Sequence, residues 1–518
     1  MALNVLGLVV MAAFYLLILG TGIWASMRSK KAEKKYLGDG MEMTLLAGRD
    51  INLLVGIFTL TATWVGGGFI LGIAEATYNP TLGAVWALMP VPYVLTFFLG
   101  GFFFAKPMRQ NKYLTMMDPF QQKYGNVLST LLIFPALVAD VLWVARTLVS
   151  LGGTMSVILE LSYFYSIVIS SVVAIIYTLM GGLYSVAYTD VIQLILIFIS
   201  LWVCVPFLLT NPHSLDISLT AYNQTFQAPW VGTVEPYEAG KWFDDFMLLA
   251  LGGLAYQAFY QRILSASSYT QAQVTCYASS AFCLVLGIPS ILYLTPPYIS
   301  VIGIGAVAAA VMSSMDSALL SSASMFSSNI YKNIFRKQAS DCEMQWVIRI
   351  SVVVVGLAGT ALTFLDNSVL VFWLVGVDMS YTIMFPQLVC VLFFKVSNGY
   401  GASLGYLMGI VLRLLSGEPL IGLPPAIRFP GCRMDQEGNL IQFFPFRTAI
   451  MVTSLLSILL FSWLTSILFN KGLLAERWDV FKIKRKEKPT AAAEDERSDS
   501  GNEEVSTAKQ LLDTTTSF

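Results

Sequence analysis

Phe58-Thr59-Leu60-Thr61-Ala62-Thr63-Trp64-Val65-Gly66-Gly67-Gly68 is the stretch on which the fold turns. It sits in an apolar run from about residue 50 to 76, long enough to cross a bilayer, yet it ends in three consecutive glycines. A glycine costs a helix interior about 1 kcal/mol relative to alanine, so a cluster in mid-span predicts an unwound point. Unwound backbone survives at membrane depth only where it lines a cavity or is buried in protein. Its freed carbonyls are ligands for a hard cation. A second interruption follows at Gly252-Gly253-Leu254-Ala255-Tyr256-Gln257.

Composition places both breaks in a membrane protein. Of 518 residues 56% are hydrophobic and 12% charged, and mean hydropathy is +0.68. Soluble domains carry roughly 25% charged residues, so this chain has too little charge to solvate a body of its size. A net charge of -1, with no basic face interleaved with aromatics, gives no reason to expect nucleic acid. The six cysteines (Cys204, Cys276, Cys283, Cys342, Cys390, Cys432) lack metal spacing, and His213 is the only histidine. No catalytic cluster is visible, so an enzyme is not expected.

The predicted fold is all-α, with about thirteen membrane spans. The first runs from about Val5 to Trp24, and the rest lie near 50–76, 82–105, 126–158, 163–182, 190–210, 243–262, 272–294, 298–330, 346–365, 369–394, 400–415 and 446–470. Lysine and arginine collect at 28–35, 106–123, 332–337 and 471–488, which fall on one side if the N-terminus is outside and the C-terminus inside. The outer side then receives loop 211–242 with the sequon Asn223-Gln224-Thr225, a candidate glycosylation site at Asn223. Residues 1–470 form the membrane domain, and 471–518 a cytoplasmic tail. In that tail Lys482–Lys488 is basic enough to touch anionic lipid, and Glu494–Glu504 has the composition of a disordered segment. The glycine-broken spans open two successive five-helix sets, about 49–210 and 243–394. Interrupted spans at matching positions of two halves point to the binding site of an inverted-repeat transporter.

The ninth span adds Ala310-Val311-Met312-Ser313-Ser314-Met315-Asp316-Ser317, then Ser321, Ser322 and Ser324. Some of these serines are expected to bond back to their own helix. Asp316, an ionisable group inside a span, is a functional candidate by default.

Gly181-Gly182-Leu183-Tyr184-Ser185-Val186-Ala187-Tyr188-Thr189-Asp190-Val191-Ile192-Gln193 resembles the signature of the sodium/solute symporters, the family that includes the sodium/glucose cotransporters. The opening stretch, Phe104–Arg109, Asp118–Gln122 and Ala309–Ser314 are similar to its choline-transporting members. The resemblance implies a LeuT-type fold with a 5+5 inverted repeat and alternating access. It implies sodium- and chloride-dependent choline uptake at the plasma membrane, including presynaptic membrane and vesicles, for acetylcholine synthesis. It places one Na+ against the carbonyls of Ala62, Val65 and Ala310 and the hydroxyls of Ser313 and Ser314. Thr189 and Asp190 correspond to a second cation site or an inner gate, with Asp316 beside them as a candidate. Cl- is given no site, and pairing with a second copy stays open.

Choline's quaternary ammonium cannot donate a hydrogen bond, so recognition falls to aromatic faces, at about 0.5–2 kcal/mol per contact. The family's cage corresponds to Trp64, Tyr93 and Trp143, with Tyr256 where a tryptophan is usual. Asp140, one turn before Trp143, is a candidate source of charge. Between Leu292 and Pro296 the chain lacks several dozen residues of the family's outer loop. Two further readings follow: Tyr256 in place of tryptophan admits a symporter for another organic cation, and the missing loop a non-transporting, regulatory variant.

Overall fold

The computed structural model describes residues 16–28 except 19, 40–159 except 80, 162–179, 182–210, 230–291, 300–365, 368–418, 422–434 and 440–484. The start of the first expected span, Asn223, the Leu292–Pro296 junction and the tail beyond 484 lie outside the described residues.

The first described break follows from capping and glycine. Asn52 caps helix α1 (Leu53–Trp64) by accepting from the Val55 amide at 2.9 Å. Val65 then leaves helical geometry (φ -81°, ψ 64°), Gly66 is extended, and α2 (Gly67–Tyr78) restarts at 46° to α1. Next, Pro90 and Pro92 hold the first turn of α3 (Pro90–Leu99), which continues through a π-helical turn to Gln110. That helix begins later than the expected 82, because residues 84–86 form a 3-10 turn behind Gly83 at φ 81°.

The long α4 (Asn126–Leu159) and α5 (Tyr163–Leu179) precede α6 (Leu183–Leu209). α6 starts seven residues before the expected 190, straight after the extended Gly182, so Thr189 and Asp190 lie inside it. The second break lies between α7 (Ala239–Gly252) and α8 (Gln257–Ser265), through a 3-10 turn and the extended Tyr256. α9 (Tyr269–Ile291) and the serine-rich α10 (Ser300–Met325) follow. α11 (Asp341–Leu362) starts earlier than the expected 346, because the Ser340 hydroxyl caps it by accepting from the Glu343 amide. α12 (Val369–Met379) runs through a π turn into α13 (Phe385–Phe393), and α14 (Gly399–Leu415) and α15 (Phe446–Asn470) complete the set. One two-stranded antiparallel ladder, β1 (Arg433–Met434) with β2 (Leu440–Ile441), lies before α15.

Seven helices among the described residues are long and apolar enough to cross a membrane, eight with the bent α1–α2 pair as one span. Their outward faces carry large apolar side chains such as Leu131, Phe134, Phe164 and Leu456, each more than half exposed. In water such a surface would aggregate; in lipid it is the ordinary one. The chain is an all-α multi-pass membrane protein. Met1–Ser462 is one compact unit and Trp463–Phe518 another; in the second, the Asp479 carboxylate accepts from the amides of Ile483 and Lys484 at 2.9 and 2.8 Å.

In the first unit α10 packs chiefly on α4 and α6, and α12 lies along α4. At the α1–α2 break this contact is very close. A Cβ on Gly66 would stand 1.8 Å from Ser314 Oγ, whereas one on Gly68 would have 3.7 Å to its nearest neighbour. Gly66→Ala is therefore expected to cost about 1–3 kcal/mol by overpacking. Gly68→Ala should change stability by under about 0.5 kcal/mol. Unfolding midpoints of the two purified variants check this, and equal midpoints would contradict the packing.

Candidate functional site

The serine face of α10 meets the break with its oxygens. Ser314 Oγ donates to the Thr63 carbonyl at 2.9 Å, and Ser313 Oγ donates to Asp190 Oδ1 at 2.5 Å. Ala310 belongs to the same contact, its carbonyl 3.5 Å from the Gly66 Cβ position. Ala62, Val65, Ala310 and Ser313 are wholly buried and Ser314 nearly so. Buried carbonyls and rotatable hydroxyls gathered in this way suit a hard cation, which binds oxygen. Each serine has only to turn its hydrogen away to offer a lone pair.

Asp190 ties this cluster to the rest of the buried polar core. Besides Ser313 it accepts from Thr59 Oγ1, and Arg262 Nη2 stands 3.7 Å from its Oδ2. Arg262 also donates to Ser317 Oγ, and to Gln261 Oε1 at 3.2 Å. Asp316 lies at the edge of the cluster, with Ser317 Oγ 3.5 Å from its Oδ1. Thr189 is not brought in: its hydroxyl bonds back to Ser185 and Val186 carbonyls at 3.2 and 2.9 Å. Within a helix starting at Leu183, consecutive residues cannot face the same neighbour, so Asp190 enters the core and Thr189 does not. The sequence reading overlooked Arg262, although an arginine near the end of a span was signal enough.

The aromatic residues converge on the other side of the break. The Trp64 ring centroid lies 5.5 Å from Trp143 and 6.5 Å from Tyr93, both edge-to-face. Tyr256 meets Trp143 at 5.0 Å. Three rings absent from the sequence reading close the cluster: Phe97 and Phe259 at 5.5 and 5.8 Å from Trp64, and Trp373 at 6.2 Å from Tyr93. The space left between Trp64, Tyr93, Trp143 and Trp373 is about 10 Å³, room for one water. Asp140 does not line it. Its Oδ2 accepts from Ser321 and Ser322 of α10 at 2.8 and 3.0 Å. The charge beside the cage is instead Arg146, whose guanidinium carbon lies 4.6 Å from the Trp143 ring centre and 5.7 Å from that of Trp373.

A second polar cluster marks the start of α7. Arg447 reaches Asp245 at 2.8 Å and Asp378 at 3.4 Å, and Arg413 pairs with Asp378 at 2.5 Å. Asp244 accepts from the amide and hydroxyl of Thr448 at 2.7 and 2.6 Å. These pairs stitch the first half of the broken α7–α8 segment to α12, α14 and α15 beside a cavity of about 290 Å³.

The sequence matches the model of the sodium:solute symporter family over residues 45–294 and 247–409. High affinity choline transporter 1 of Homo sapiens is 47% identical, over 93% of this chain and 89% of its own length. The protein of that name from Torpedo marmorata is 44% identical, over 92% and 89%. Among solved structures, a Na+-coupled sialic acid symporter in a substrate-bound outward-open state aligns at a TM-score of 0.66. It covers 90% of this chain and 98% of its own at 16% identity, a likeness of fold alone.

Removing one partner of the buried Asp190–Arg262 pair strands the other charge, at a cost of about 3–5 kcal/mol. Arg262→Gln is expected to lose that much. Asp190→Asn added to it should recover about 1 kcal/mol or more through the coupling of the pair. Unfolding midpoints of both variants test this, and a double variant no better than the single one would show the charges to be uncoupled.

Proposed function

The chain belongs to the sodium:solute symporter family, and from that membership we propose that it takes up choline by coupling to sodium. The observation that carries this reading is the convergence of Trp64, Tyr93 and Trp143 at a helix break whose reverse side is lined with buried oxygens. A quaternary ammonium binds where π-faces replace its water without asking for a hydrogen bond. Tyr256 extends the cage from Trp143. Sodium binds across the break, on the carbonyls of Ala62, Val65 and Ala310 and the hydroxyls of Ser313 and Ser314. Asp190, bonded to Ser313 and Thr59, serves as a second cation site or inner gate, with Asp316 and Arg262 adjoining.

Sodium and substrate act on one short segment, which is what couples them. Drawing Ala62 and Val65 carbonyls toward the ion fixes the backbone on either side of Trp64, and so its ring. The space between the rings is far smaller than a trimethylammonium head, so loading separates Trp64 from Trp143. Closing them behind the substrate is one half of alternating access.

The reading extends to thirteen spans with the N-terminus outside, repeats at about 49–210 and 243–394, a tail from 471 and glycosylation at Asn223. Chloride accompanies sodium, and the site of action is the plasma membrane, at cholinergic terminals. A second reading, a symporter for another organic cation, rests on Tyr256, whose phenol is a weaker cation–π partner than indole.

Uptake of labelled choline by cells displaying the protein is expected to vanish when sodium is replaced by N-methyl-D-glucamine. Persistence would sink the proposal, and stronger uptake of a different quaternary amine would favour the second reading. Tyr256→Trp should lower half-saturating choline about two- to fivefold, the worth of one improved cation–π wall.

A further inference from the structure

We propose that Asp140 of α4, with Ser321 and Ser322 of α10, forms a further cation site, and that its occupant is a sodium ion. The site stands on its own geometry; only its use in uptake rests on the transport reading above.

The sequence of α10 repeats one device. Ser313-Ser314 is followed eight residues later by Ser321-Ser322, about 12 Å along the helix, and all four are buried. Each pair meets a carboxylate from another helix. Ser313 donates to Asp190 of α6, and Ser321 and Ser322 donate to Asp140 Oδ2 at 2.8 and 3.0 Å. The two acids differ in what else surrounds them. Asp190 accepts on both oxygens and has Arg262 3.7 Å away. Asp140 is 1% exposed, and its Oδ1 is fully buried with nothing donating to it. Among the described residues no base pairs with Asp140. The arginines of the core are engaged elsewhere, Arg262 with Asp190, Arg447 with Asp245 and Asp378, and Arg146 on the rings of Trp143 and Trp373.

A buried carboxylate without a countercharge is stable only once a cation or a proton neutralises it. The groups around Asp140 select a hard cation, since two carboxylate oxygens and two hydroxyls are all oxygen donors. Ser322 Oγ also donates to the Ala318 carbonyl at 3.1 Å, so its hydrogen keeps an acceptor when the lone pair turns to an ion. One carboxylate balances one positive charge, and a divalent ion would leave an excess buried in the membrane. The position gives the ion a role. Asp140 stands one turn before Trp143, so an ion held between α4 and α10 fixes the height of the cage indole.

The test uses the full chain in nanodiscs, its unfolding midpoint followed as sodium chloride replaces N-methyl-D-glucamine chloride at constant ionic strength. The steepness of stabilisation with the logarithm of sodium concentration counts the ions that the folded state binds. Asp140→Asn is expected to lower that count by about one. It should also be more stable than the wild type without sodium, because an uncompensated charge is gone. Ser322→Ala keeps the acid, removes one oxygen and should raise half-saturating sodium about tenfold, as loss of a bond to a charged group requires. The proposal is overturned if Asp140→Asn keeps the wild-type sodium count, the result expected of a carboxyl that holds a proton. It is equally overturned if potassium chloride stabilises the protein through Asp140 as strongly as sodium chloride does. Should Asp140→Asn not fold, unchanged half-saturating sodium in Ser322→Ala overturns it. An ion lost with Asp140 from a protein without sodium-driven choline uptake would sink the transport reading and leave the site standing.

Discussion

A helix interrupted inside a bilayer has to find protein partners for its freed backbone, and the packing around Val65 and Gly66 answers that constraint. α10 supplies the answer with serines, short enough for two helices to approach closely and polar enough to meet carbonyls. Gly66 is there because Ser314 occupies the place of its Cβ. The groups that stabilise the unwound turn are hard oxygens, and on that polarity the proposed cation site rests. Fold and function thus share one cause at this point.

The same constraint governs the buried charges. Arg262 and Asp190 are both fully enclosed and stand close to Ser317, Ser313 and Thr59, so each charge has company on more than one side. A pair of this kind adds little net stability over an apolar substitute, yet losing half of it is costly. It therefore fixes how α6, α8 and α10 meet rather than how strongly they adhere. The cluster around Arg447 does the same for the start of α7, with Asp244, Asp245 and Asp378 drawn onto one guanidinium. Both halves of the second broken segment are thus held by charge, on either side of Tyr256.

What the sequence made legible was whatever one helix can show by itself. The glycine clusters marked both breaks, the serine pair marked the oxygen face, and an acid in mid-span marked a polar core. Facing relations were harder to read. Asp140 lies one turn before Trp143, yet its carboxylate reaches α10, because a neighbouring helix decides which way a side chain at that height is used. The resemblance paired Thr189 with Asp190, but within α6 the Thr189 hydroxyl bonds back to its own helix while Asp190 reaches Ser313 of α10. Phe97, Phe259 and Trp373 are ordinary apolar residues in their own helices and become cage walls only when three segments converge. Arg146 was overlooked, although an arginine three residues after Trp143 inside a span is an intramembrane charge that the sequence displays.

That arginine changes what the cage must accomplish. A guanidinium and an ammonium about 5 Å apart repel by about 3 kcal/mol at an effective dielectric of 20, which exceeds the gain from one good aromatic wall. Aromatic faces alone therefore cannot settle how a cation comes to rest beside Arg146 on the Trp143 ring. Either the guanidinium withdraws along its own stem or a negative charge comes between. The stem runs past Gly68 at the head of α2, so withdrawal would carry the charge along a helix end that already repels it. Trp64 to Gly68 thus lie between the oxygens of α10 on one side and the indole beside Arg146 on the other.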